Sequence, residues 1–264
     1  MKSKLTAKTA FLIVLLYPIL AILASFLARI FFGSMDAPQR NTNIHEVIGR
    51  GMYGTIMVSV VLIVASIYVF KDSTRDTFFE RKPFGLSKLY YLFPLTWAGV
   101  ALFALYNVDL SSYSFGVILR VIVATLAVAI NEEVVTRGIL LVGLRNSRFA
   151  EWLAWLITLV TFSLLHLVNV LGGGSLVILL VVTTGGTLLY ISRRVFGNLF
   201  VPIGLHALYD TAFYLLTGAY AVGENLPGKV LDIQLGSFLL LFAVSVLFLI
   251  FGRKLFHRDT IGWE

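Results

Sequence analysis

Ala129-Ile130-Asn131-Glu132-Glu133-Val134-Val135-Thr136-Arg137-Gly138 is the stretch whose reading decides the fold of this chain. Upstream of it, Phe115 to Ala129 carries no charge except Arg120, and downstream Ile139-Leu140-Leu141-Val142 is apolar again. Two carboxylates and a guanidinium therefore interrupt what otherwise reads as a membrane-spanning helix. An ionised side chain at the bilayer centre costs roughly 2.5–3.5 kcal/mol on insertion scales, so three together mark a site by default. Two other long apolar segments carry polar interruptions of their own, Phe162-Ser163-Leu164-Leu165-His166 and His206-Ala207-Leu208-Tyr209-Asp210. The expectation is that these three helices meet around one polar site inside the membrane.

Composition supports the membrane reading. Of 264 residues, 58% are hydrophobic and only 13% charged, against about 25% charged in a soluble domain. The chain is expected to form one integral membrane domain, 1–264, with the lipid bilayer as its main partner. Cysteine is absent, which excludes a thiol nucleophile, disulfides, thiolate zinc sites and iron–sulfur ligation. A net charge of +7 would suit nucleic acid, but the charges sit at the caps of apolar spans, so no nucleic-acid partner is expected. Lys2, Lys4 and Lys8 resemble the basic start of a signal peptide. The apolar run from Thr9 to Phe32 exceeds the 7–15 residues of a signal-peptide core, and it is read as a retained first helix.

A span needs about 20 apolar residues, and eight segments approach that: 9–32, 52–70, 89–106, 115–142, 152–170, 175–191, 198–218 and 235–252. The fold class predicted is all-α, a polytopic bundle of eight transmembrane helices in which helices four to seven form a four-helix core. Turn signals separate the spans: Gly33 to Pro38, the 71–88 loop, Asn107 to Ser114, Gly172-Gly173-Gly174, and Gly223 to Gly228. Fifteen of the 21 Lys and Arg residues fall on the side of the N-terminus. By the positive-inside rule both termini are cytoplasmic. At 1.5 Å per residue, Glu132, His166 and His206 lie about 15, 21 and 12 Å from the cytoplasmic ends of their helices. With a hydrocarbon core about 30 Å thick, all three occupy its middle band.

Adjacent residues on a helix point about 100° apart, so Glu132 and Glu133 cannot share one task. Glu133 and Arg137 are four apart with the acid first, the favourable order for an ion pair. That pairing leaves Glu132 free to face a cavity as a general base. A purely structural polar network is the competing reading. His166 has Asn169 one turn on, and His206 has Asp210 four residues on along the same face. Two imidazoles and a carboxylate at one depth suit a zinc site of Glu132, His166 and His206, or a metal-free acid–base and oxyanion site. No acidic residue lies one turn from His166 to hold its ring, which leans the expectation toward no cofactor, with zinc the alternative. Rival signatures are missing: no His-Glu-x-x-His, no Gly-x-Ser-Gly, and no Gly-x-Gly-Asp to accompany Tyr209-Asp210.

Taken together, Glu132-Glu133-x-x-x-Arg137, Phe162-x-x-x-His166 and His206-x-x-x-Asp210, in this order on the fourth, fifth and seventh spans, resemble the CPBP superfamily. That family comprises CAAX prenyl endopeptidases and bacteriocin-processing enzymes and is also called Abi. The approach from Arg194 to Ala207 is similar to the family's as well, and the resemblance covers about 115–218 as a catalytic core. It implies an intramembrane endopeptidase whose substrate is a membrane-associated peptide, a prenylated CAAX-type protein or a leader peptide. It also implies that Glu132 and His166 activate water while His206 and its partner hold the oxyanion. Glu133, Arg137, Phe162 and Asn169 would support the site. Asp210 stands where CAAX-cleaving members have Asn, so it is expected to orient His206. A proton-coupled transporter and a catalytically silent immunity or scaffold protein are the alternatives.

Overall fold

The computed structural model describes residues 5–32, 44–83, 86–171, 176–218 and 228–256, without the side chains of residues 29, 32, 44–51, 168, 169, 177, 253 and 254. Its helices run α1 Ala7–Phe32, α2 Ile44–Val64, α3 Thr74–Phe78, α4 Leu92–Tyr106, α5 Phe115–Glu133 and α6 Leu141–Asn146. They continue with α7 Glu151–Leu165, α8 Leu167–Leu171, α9 Val177–Phe196, α10 Phe200–Thr217 and α11 Gly228–Phe251. Among the described residues no strand forms, and the one β-bridge pairs Phe79 with Asn198. Lipid cannot bond a bare backbone, so long apolar segments close their hydrogen bonds internally as helices. Leu12, Leu15, Ile19 and Ile22 of α1 face outward, as lipid contact requires.

Each expected span has its helix, but the count of eight is not upheld by length and composition. Among the described residues six helices are long and apolar enough to cross a membrane. The two that fall short are α7, 15 residues long, and α10, whose His206 and Asp210 lower its hydropathy. These are the two helices that carry the histidines of interest. The segment expected as one span at 152–170 also breaks at His166, between α7 and α8. The fourth span runs further than expected, through a π-helix at Val134–Leu140 into α6. The turn signals at Gly33–Pro38, at Gly172–Gly174 and before Gly228 lie outside the described residues, as does Phe84.

Three cationic residues expected as solvated caps are buried instead. Arg193 and Arg194 are 0% exposed and converge on Glu80 at 2.7 and 3.0 Å. Arg145 joins them, 2.8 Å from Glu80 and 2.5 Å from Glu151, and the Tyr190 hydroxyl donates to Glu151 at 2.6 Å. Burial pushes the Glu80 carboxyl up, but Arg145, Arg194 and Arg193 together hold it well below the usual carboxylate range. This network fastens the 71–83 segment to the ends of α6, α7 and α9. Gly197, at φ +71°, ends α9, and the Asn198 side chain then accepts from the Val201 N–H to start α10.

Around the site, α5 is clamped by α2 and α10. Ser59 donates to the Ala127 carbonyl at 3.1 Å and Asn131 to the Thr55 carbonyl at 3.0 Å. Thr125 and Thr211 share a 2.7 Å hydrogen bond. Trp97 of α4 donates to the Leu205 carbonyl and stacks on Tyr209, with ring centroids 4.4 Å apart. Gly185 and Gly186, which could have loosened their span, lie inside the continuous helix α9. Their bareness serves close approach: a Cβ on Gly186 would sit 2.8 Å from the Arg137 guanidinium, and one on Gly185 2.7 Å from the Trp97 ring.

Candidate active site

Glu132 and Glu133 end α5, and the π-helix that follows carries Arg137. Arg137 Nη1 lies 2.9 Å from Glu133 Oε1, both side chains essentially unexposed. The guanidinium also donates to Thr136 Oγ1 and to the Gly186 carbonyl, each at 3.0 Å. Its flat face rests 4.0 Å from the centroid of the Phe162 ring. Arg193, from the network described above, donates to the Arg137 backbone carbonyl. The expected Glu133–Arg137 pair is therefore present, with partners from α9 and α7 that no spacing rule could have named.

His166 caps the end of α7, and its Nδ1 lies 2.9 Å from the Phe162 carbonyl. A carbonyl only accepts, so Nδ1 carries the hydrogen and Nε2 is left with its lone pair. That Nε2 lies 3.7 Å from Glu132 Oε2. His206 on α10 sets its Nδ1 3.1 Å from Glu133 Oε1, its Nε2 3.8 Å from Glu132 Oε2 and 3.4 Å from Asp210 Oδ2. Phe162 is wedged between the two imidazoles, with centroids 4.8 Å from His166 and 5.9 Å from His206.

Glu132, Glu133, Arg137, Phe162, His166, His206 and Asp210 thus share one cluster, from three segments of the chain. Asn169 lies in α8, and its side chain is outside those described. Sequence reasoning gave the task of orienting His206 to Asp210. In the structure Glu133 takes Nδ1, and Asp210 stands beside the opposite nitrogen. Glu133 therefore serves two partners, because its Oε1 reaches Arg137 along its own helix and His206 across the bundle. Both glutamates bury an Oε2 without a hydrogen-bond partner among the described residues, but only that of Glu132 lies between the two imidazoles.

Residues 114–212 match the model of the family described as type II CAAX prenyl endopeptidase Rce1-like. That part of the chain is thus similar to the CPBP/CAAX protease superfamily, and is called the Rce1-like segment below. No curated protein and no solved structure matched the chain. The Rce1-like segment runs from the start of α5 into α10 and contains the whole cluster from Glu132 to Asp210. The match makes residues 114–212 similar to a family of CAAX-type endopeptidases, a peptidase class. With six apolar helices besides, the protein is integral to the membrane and multi-pass. The helices α1, α2 and α4 lie outside the Rce1-like segment, yet α2 and α4 hold its helices through the bonds of Ser59, Thr55 and Trp97.

Proposed function

We propose that the protein hydrolyses a peptide bond of a membrane-associated substrate with a water activated by Glu132 and His166. The observation that supports this most is the placing of Glu132 Oε2, unpartnered and flanked by two imidazole nitrogens at 3.7 and 3.8 Å. Those separations exceed a direct hydrogen bond, and one water can bridge each of them. Glu132 accepts a proton from that water while its oxygen attacks the carbonyl carbon. His166 Nε2 accepts the second hydrogen bond of the same water and fixes its direction. The carbonyl oxygen becomes an oxyanion, and His206, with Nδ1–H bonded to Glu133 and a second proton on Nε2, donates to it. Asp210 beside that nitrogen balances the charge of the ring. Collapse of the tetrahedral intermediate breaks the C–N bond, and the amine leaves with the proton that Glu132 took.

Zinc is a second reading, carried by donor chemistry alone, since among the described residues no three His, Asp or Glu side chains are gathered closely enough to hold a metal ion. Glu132, His166 and His206 offer two imidazoles and a carboxylate, the donor set of catalytic zinc sites. The outer nitrogens of both histidines lean on an acceptor, the Phe162 carbonyl and Glu133, as zinc-bound histidines do. The partner that His166 lacked in sequence is thus supplied by backbone. Bound there, the metal would lower the pKa of a water and polarise the carbonyl.

The substrate class proposed is a peptide held near the bilayer by a lipid or an apolar anchor, a prenylated C-terminus or a leader among them. From the charge bias, both termini are placed on the cytoplasmic side, and 115–218 is taken as the catalytic core. The test is cleavage of lipid-anchored peptides by purified protein beside Glu132→Gln. Full activity of that variant would sink the proposal, and a silent wild type would favour the scaffold alternative. Prolonged chelation separates the two chemistries: activity should persist without zinc, and a loss restored by zinc would establish the metal reading.

A further inference from the structure

A pocket of about 100 Å³ opens between α1, α2 and α5 and reaches Glu132. No residue of α7, α9 or α10 lines it, so it approaches the carboxylate from a different side than the histidines. Its polar groups come from Tyr17 and Ser25 of α1, Thr55 of α2, and Asn131 and Glu132 of α5. Such a polar lining between apolar helices is costly inside a membrane unless something hydrogen-bonds to it.

Two acceptors identify what that something is. Asn131 is 2% exposed, its amide N–H₂ is committed to the Thr55 carbonyl, and its Oδ1 has no partner among the described residues. Glu132 keeps 15% of its side chain accessible while Oε2, on the histidine side, is buried. The accessible part is therefore not Oε2, and Glu132 stands between the pocket and the imidazoles. A ligand here must donate more than one hydrogen bond within a small volume. The volume holds several waters, each occupying about 30 Å³ in the liquid. A peptide group offers one N–H and fits this lining less well.

We propose that this pocket delivers the hydrolytic water to Glu132 from the α1–α2 side, while the peptide occupies the side of His166 and His206. The inference rests on the proposed hydrolysis. The walls of this inlet include Tyr17 and Ser25, which lie outside the Rce1-like segment. Water supply through its own inlet lets the peptide seal the other face without starving the reaction.

The chain has no cysteine, so Ser25→Cys gives a single thiol on the pocket wall. Ser25 bonds only to the Ala21 carbonyl of its own helix among the described contacts, and the variant should fold and cleave. In membranes it should react with a hydrophilic methanethiosulfonate, and the adduct should lower kcat for a lipid-anchored peptide on the order of tenfold or more, with KM unchanged. Val128→Phe, which fills the pocket sterically, should show the same split. Absence of labelling, or labelling without loss of kcat, overturns the proposal. So does a rise in KM that depends on the residue beside the scissile bond, because the pocket would then be a side-chain subsite. Glu132→Gln measured in parallel keeps the outcomes apart: if it still cleaves, the hydrolytic reading itself has failed.

Discussion

Glu132 and Glu133 are neighbours in sequence, and replacing each by Gln should produce opposite phenotypes. Glu133 is wholly buried and neutralises Arg137 at 2.9 Å. Breaking a buried pair by removing one partner costs about 3–5 kcal/mol. Arg137 would keep the Gly186 carbonyl, Thr136 Oγ1 and the Phe162 face, the last worth about 0.5–2 kcal/mol. Gln also keeps an acceptor, so the loss should fall near the lower end, about 3 kcal/mol. Glu132 makes no hydrogen bond through Oε2, and its exchange for Gln should leave stability nearly unchanged. Its cost should appear in kcat, by about 10²–10⁴-fold as for the loss of a general base. Thermal and denaturant unfolding in one detergent, with cleavage of a lipid-anchored peptide, measures both. Equal destabilisation by the two variants, or a Glu132→Gln enzyme with full kcat, would refute the division of labour.

The Glu80 network gives a pH prediction. A carboxyl held below its ordinary value of 4.5 by Arg145, Arg194 and Arg193 contributes stability above that pH and loses it as the pH falls below. Detergent-solubilised protein should therefore weaken on acidification below about 4.5, and Glu80→Gln should start less stable with a shallower acid limb. An unchanged limb would remove Glu80 from the account. Topology is open to single cysteines at exposed positions: Lys71→Cys should label from the cytoplasmic side and Ser111→Cys only from the other. Labelling of both from one side would overturn the proposed orientation.

The elements were legible in the sequence because each apolar run is long and the bilayer leaves a backbone little choice but helix. The three motifs were legible because charge inside such runs is expensive. What escaped was the direction of side chains across the bundle. Glu133 looked committed to Arg137 by its i,i+4 spacing, and nothing local showed that His206, 73 residues away, shares the same oxygen. Arg145, Arg193 and Arg194 looked like solvated caps because a cap and a buried network have the same composition. Their acceptor, Glu80, sits in a loop whose docking only the folded chain reveals. Nothing in the sequence singles out Asn131, whose Oδ1, without a partner among the described residues, is visible only with the α1–α2 pocket.

The π-helix at Val134–Leu140 acts as a phase shifter between two charge clusters. Each α-helical residue turns the chain by about 100°, and a π-turn takes up extra residues with i→i+5 bonds. Residues before it aim the glutamates at the histidines, and residues after it aim Arg145 at Glu80 and Glu151. If the same residues wound as a plain α-helix at unchanged length, every side chain would be intact and the two clusters out of phase. One of them would then turn away by about a quarter of a circle. Length and winding of this stretch are thus set together: a one-residue insertion should turn one cluster away, whereas a one-residue deletion, absorbed by loss of the π-turn, should keep both in place.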